Sequence, residues 1–205
     1  ETSQSPGVKI DALNRINNLR EKYELESKKI TIDPLKQSQV VLDSYDKIID
    51  SGEFYQRMDE LIYQTAKATK FIGNTEESIK RLKLLVALYP RSPLVDESMF
   101  RMAEGYFELG NYDDAAAQYQ KVLSFSQTDL FHLEAKYKLA WSLFRIDRLD
   151  DAGKQAVHVL QAFPELKNAL DFEAVTPDKQ DLVEDDLRLL SILSSKQEGT
   201  ETLES

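Results

Sequence analysis

"GNYDDAAAQYQKVL", residues 110–123, and "DRLDDAGKQAVHVL", residues 147–160, carry matching residues at matching places. Asp113, Asp114, Ala115, Gln118, Val122 and Leu123 recur as Asp150, Asp151, Ala152, Gln155, Val159 and Leu160, each 37 positions further on. Shifting back by the same 37 places Gly110-Asn111 on Gly73-Asn74, Asp113-Asp114 on Glu76-Glu77, and Ala115 on Ser78. Tyr119 then falls on Leu82, and Val122-Leu123 on Leu85-Val86. Ala66, Ala103 and Ala140 share one register, and Tyr63, Phe100 and Tyr137 another. "ALYP" ending at Pro90 and "QAFP" ending at Pro164 close the first and third copies. One unit therefore occurs three times.

Within each copy the apolar spacing is helical. Met99, Met102, Ala103 and Tyr106 follow the i, i+3, i+4, i+7 pattern of a single helix face. Gly110-Asn111 interrupts that pattern, as a left-handed helix end favours glycine. A second helix then carries Ala115, Tyr119, Val122 and Leu123. Small residues at Ala103 and Ala115 would let paired helices approach closely, so Ala103 and Ala140 are expected to be buried. The reading predicts helix pairs at residues 59–90, 96–126 and 133–163, with repeats at 59–95, 96–132 and 133–165.

Both ends depart from the repeat. Val41, Tyr45, Ile48 and Ile49 align with second-helix positions, after a loop, "SKKITIDP", that contains a proline. Ala12, Ile16, Leu19 and Tyr23 mark one face of an earlier helix, so residues 1–58 are read as a divergent helix pair at about 8–26 and 34–51. Ile10 and Leu13 widen that face beyond a coiled-coil stripe, which favours packing on the repeats and a monomer. Thr176 as N-cap and Pro177 at the first helical position open a helix to about Lys196. Its Leu182, Val183, Leu187, Leu190 and Leu193 would cover the last repeat, which stacked repeats require. Residues 166–196 are thus a linker and capping helix, and 197–205 are expected to be disordered.

Composition excludes several classes of function. A formal charge of −10 opposes binding to a phosphate backbone, so no nucleic-acid partner is expected. Residues 165–205 hold eleven acids and four bases, read first as a solvated face and second as an acidic docking patch. No run approaches the ~18 apolar residues of a membrane span. The chain has no Cys, which excludes disulfides and thiol catalysis but does not fix a compartment. Gly-rich phosphate loops, zinc-ligand clusters and calcium loops are absent, so no cofactor and no metal are expected. His132 and His158 are read as surface residues. Glu184, Asp185 and Asp186 lie too close in sequence to oppose one another across a cleft and are read as a solvated turn of helix. Nothing marks an enzyme.

The copies resemble the tetratricopeptide repeat, Trp-x2-Leu-Gly-x2-Tyr, then Ala-x3-Phe, then Pro, with a period of about 34 residues. The middle copy reads Met99, Met102-Ala103, Tyr106, Ala115 and Tyr119. The third reads Lys136, Leu139-Ala140, Leu143, Ala152, Ala156 and Pro164, and the first, weaker, Ile62, Thr65-Ala66, Thr69, Ser78, Leu82 and Pro90. The extra residues are expected in the inter-repeat loop, as in "SFSQTDLFH". The resemblance implies an all-α fold, a right-handed α-solenoid of helix-turn-helix repeats with terminal capping helices. It also implies a concave groove that takes an extended peptide or helix of another protein.

In that family the groove is lined from set positions of each repeat's first helix. The fifth, ninth and twelfth are here Tyr63, Lys67 and Lys70, then Phe100, Glu104 and Phe107, then Tyr137, Trp141 and Phe144. Aromatics at the fifth and twelfth positions also pack against neighbouring repeats, which is the alternative for Tyr63, Phe100 and Phe107. Trp141, at the ninth, is the stronger binding candidate. Some members clamp a partner's terminal carboxylate with Lys, Asn, Asn, Lys and Arg. The matching residues here are Tyr63, Lys67, Arg101, Glu134 and Lys138, and Glu134 would repel a carboxylate. The texture of "AKYKLAWSLF" and "LYPRSPLVDESMFRMAEGYF" is similar to repeats of bacterial envelope proteins: outer-membrane assembly lipoproteins, Tol-Pal coordinators and TonB-associated proteins. It implies a non-enzymatic periplasmic scaffold, with a cytoplasmic one as the alternative. A second reading is an oligomeric structural piece of a longer chain, assembling through its terminal helices.

Overall fold

Three helical hairpins start at one fixed interval. The computed structural model describes residues 39, 42, 43, 45–47, 57–125, 131–163, 166 and 175–201, and every regular element among them is helical. We label the helices α1 (Met58–Phe71), α2 (Thr75–Leu88), α3 (Val95–Glu108), α4 (Tyr112–Phe125), α5 (His132–Arg145), α6 (Leu149–Leu160) and α7 (Pro177–Glu201). First helices begin at Met58, Val95 and His132, and second helices at Thr75, Tyr112 and Leu149, so the 37-residue spacing of the sequence is kept in the structure. The helix pairs fall where the repeat places them. The expected N-terminal helix at 8–26 lies outside the described residues.

Each hairpin turns on a residue in the left-handed region. Gly73 has φ 88°, Gly110 φ 76° and Asp147 φ 61°, and the three stand in one register. The same pair of bonds closes each turn. Gly73 N–H donates to the Lys70 carbonyl at 2.9 Å and Asn74 N–H to Thr69 at 3.0 Å. Their counterparts run from Gly110 to Phe107 and Asn111 to Tyr106, then from Asp147 to Phe144 and Arg148 to Leu143. This geometry satisfies carbonyls that a helix end leaves free. The next helix starts at once: Asn74 caps α2 by accepting from Glu77 N–H at 3.1 Å. The extra length of the period sits between hairpins, in the loop at residues 89–94.

Buried positions repeat with the sequence. Ala66, Ala103 and Ala140 are each fully buried, as expected for the small-residue position. Tyr45, Leu82, Tyr119 and Ala156 share another buried register, and Leu85, Val122 and Val159 a third. Ser78 takes the place of Ala115 and Ala152, and its hydroxyl donates to the Ala66 carbonyl at 2.7 Å. That bond removes the cost of burying a hydroxyl at a helix contact.

The chain divides into two compact units, Glu1–Gly105 and Tyr106–Ser205. In the first, α1 packs on α2, and Arg81 of α2 holds Asp46 through two hydrogen bonds of 2.6 and 3.2 Å. Leu42 and Tyr45 beside it are buried. In the second, α4 packs on α5, α5 on α6, and α6 on α7. Val159, Phe163, Val175 and Val183 form a core cluster beneath α7, with Leu182 and Leu187 against it. Helix α7 runs to Glu201, beyond the end expected at Lys196.

Candidate functional site

Of the residues expected to line a groove, Tyr63, Lys67, Lys70, Phe100 and Glu104 belong to the first unit. Tyr63 is only 4% exposed. Burial and a hydrogen bond with Glu97 push its hydroxyl pKa well above the usual tyrosine value, and the Arg101 guanidinium lies 5.7 Å from its ring. The side chain thus ties α1 to the first part of α3 and offers little surface. Lys67 reaches over the same ring at 5.6 Å. Lys70 donates to the Thr75 hydroxyl at 3.2 Å, and its pKa is lowered by burial, partly opposed by the charge of Glu104. Phe100 is half-buried.

The second unit gathers Phe107, Tyr137, Trp141 and Phe144, all half-buried. Spacing of four and three sets the last three on one face of α5. Trp141 and Phe144 meet edge to face at 5.8 Å, as do Phe107 and Tyr112 at 5.3 Å. Lys138 stands 4.9 Å above the Phe107 ring and 5.9 Å from that of Tyr137, and Arg145 lies 4.4 Å from Tyr112. The Trp141 indole nitrogen is buried and interacts with the Tyr137 hydroxyl. The face is therefore aromatic and edged by cations.

Helix α7 runs along one side of it. The Tyr137 hydroxyl donates to Asp185 at 3.1 Å, and burial together with that carboxylate pushes its pKa up to about 12. Lys196 lies 5.1 Å from the Phe144 ring and 3.7 Å from Asp147. The Tyr137–Asp185 contact repeats the Tyr63–Glu97 contact of the first unit, an acid on the following first-type helix meeting a fifth-position tyrosine. By its contacts, α7 stands in for a fourth first helix.

Two expectations need correction. Asp186 is not part of a solvated turn: it is fully buried, and neither carboxylate oxygen has a hydrogen-bond partner. The reason is phase, since Asp186 follows Leu182 and Val183 by four and three residues and shares their apolar stripe. Burial alone pushes its carboxyl up to about 7. His132 is half-buried at the start of α5, because there the helix turns its first residue inward, whereas His158 is exposed as expected.

Comparison with known proteins bears on the repeat directly. Residues 96–129 match the family model of the tetratricopeptide repeat. These are the middle copy, the one with the fullest set of pattern residues. A structure of a Podosopora anserina kinesin light chain with nearly identical TPR-like repeats is similar over 98% of this chain and 94% of its own, at 14% identity and a TM-score of 0.66. MamA from Desulfovibrio magneticus RS-1 is similar over 92% and 97%, at 14% identity and a TM-score of 0.56. At such identities the likeness establishes the fold: tetratricopeptide-like helical hairpins in succession. No curated protein matches the chain.

Proposed function

We propose that this protein is a non-enzymatic scaffold that takes a segment of another protein against the aromatic face of α5. The tetratricopeptide-like fold supports a protein-interaction role in general. The observation that carries the finer reading is Trp141: a half-buried indole, edge-on to Phe144 and one turn from Lys138. A segment with an apolar side chain for Trp141 and a carboxylate for Lys138 fits that face. From the texture of the repeats we place the scaffold in a bacterial envelope complex, on the periplasmic side.

A photo-reactive residue at Lys138, compared with one at exposed His158, tests the site. The reading expects one protein captured from position 138 and not from 158, and Trp141→Ala should weaken its binding by about 2 kcal/mol. Equal capture from both positions, or unaltered affinity in Trp141→Ala, would reject it.

A further inference from the structure

The unpartnered carboxylate of Asp186 lies inside the contact that seats α7. Its surroundings follow from the register of that contact. On α6, Val159 clusters with Val183, and a Cβ on Gly153 would lie 3.8 Å from Leu193 Cδ1, so α6 and α7 run antiparallel. On α5, Tyr137 meets Asp185 and Phe144 meets Lys196, so α5 and α7 run parallel. Asp186 falls between these marks, at the level of Ala156 and Val159, both fully buried. Neither side chain can donate a hydrogen bond. An ionised carboxylate there loses its water and gains nothing in return.

The charged neighbours do not change this balance. On α5, Tyr137 is in electrostatic contact with Asp186, but its O–H already donates to Asp185. On α6, Lys154 and His158 flank Ala156 in sequence and both are exposed, while Asp150 and Lys154 line a cleft with Leu190 and Leu193 further along. On α7 itself, Arg188 pairs with Asp185 at 3.6 Å, and Glu184 is exposed.

We propose that α7 is a proton-dependent cap on the α5–α6 pair, seated while Asp186 is protonated and loosened when it ionises. Release frees Tyr137 from Asp185 and Phe144 from Lys196. With the carboxyl held up to about 7 by burial, against about 3.9 when released, seating weakens as pH rises from about 4 and levels off above about 7. Seating is favoured on the acid side, because the seated form holds the proton more tightly than the released form. The effect on partner binding rests on the reading of the Trp141 face above, whereas the release of α7 does not.

Backbone hydrogen exchange of the full chain, corrected for the intrinsic pH dependence of exchange, tests this between about pH 5.5 and about pH 8.5. Amides of residues 183–193 should lose protection by about tenfold or more as pH rises to about 7, with little further loss above it, while α4 keeps its own. Asp186→Leu should remove the pH dependence from α7. Flat protection in the native chain, or the same pH dependence in Asp186→Leu, overturns the proposal. If that variant does not fold, the carbon-13 shift of the Asp186 carboxyl in the unaltered chain decides. A midpoint near 7 supports the cap, and one near the ordinary aspartate value of about 4 overturns it. Loss of α7 protection with no partner captured from Lys138 would leave the cap standing and reject the binding reading.

Discussion

At the residue scale, two positions break a local rule for opposite reasons. Asp147 occupies a left-handed turn that glycine fills in the other two hairpins. That conformation costs a residue with a Cβ roughly 1–2 kcal/mol, less for Asp than for most. Asp147→Gly should therefore raise stability by about 0.5–1 kcal/mol in urea unfolding, since the lost ion pair with Lys196 is exposed and weak. Gly105 presents the reverse case, a glycine inside α3. A Cβ there would come within 2.9 Å of Ile79 Cγ1, 3.0 Å of its Cδ1 and 3.4 Å of Thr75 Cγ2. The usual gain of an alanine in a helix is outweighed by that crowding, and Gly105→Ala should destabilise by about 1 kcal/mol. Adding Ile79→Val, which removes Cδ1, should recover part of the loss in a double-mutant cycle.

At the element scale, the hairpins were legible because three copies constrain one another. No single helix start could be placed from propensity alone, yet Gly73 and Gly110 mark turns and the constant register supplies the third. What propensity hid was Asp147, whose left-handed backbone follows from its register with the two glycines and not from its own side chain. Asp186 was hidden by its neighbours: Glu184 and Asp185 suggested a wet face, whereas the helical phase from Val183 buries the third acid. Similarly, Tyr63 could be assigned to a groove or to packing, and only its 4% exposure decides for packing. Ala140 illustrates the readable kind. Ala140→Leu should overpack the α5 contacts and lower stability by ~1–3 kcal/mol, measured by thermal melting. Asp186 gives α7 a pH signature. Burial pushes its folded carboxyl up to about 7 against about 3.9 unfolded, so its contribution to stability is fullest below pH ~4 and is lost as pH rises to ~7. The melting temperature of Asp186→Leu should gain on the native chain across that window and keep its lead above it.

At the scale of the whole molecule, contacts within each unit run mainly between helices adjacent in order. Repeat proteins of this kind gain stability from nearest neighbours, so a change at one end is felt locally. Substitutions in α7 should accordingly alter exchange in α6 and α7 while leaving the α1–α2 hairpin as it was. Chain length is the more general consequence of the constant spacing. Residues 112–148 comprise α4, α5 and the turn that follows, and they fill one period. A chain in which this stretch occurs twice would hand the second α4 the same turn that α6 now receives, with each buried face still directed at its neighbour. A duplication two residues shorter within α5, ahead of Leu139, would instead turn the rest of that helix by roughly 200° and direct Leu139 and Leu143 away from their neighbours. Size in this protein is quantised: its helices can be added only by the period, and free variation in length is left to the loops between hairpins.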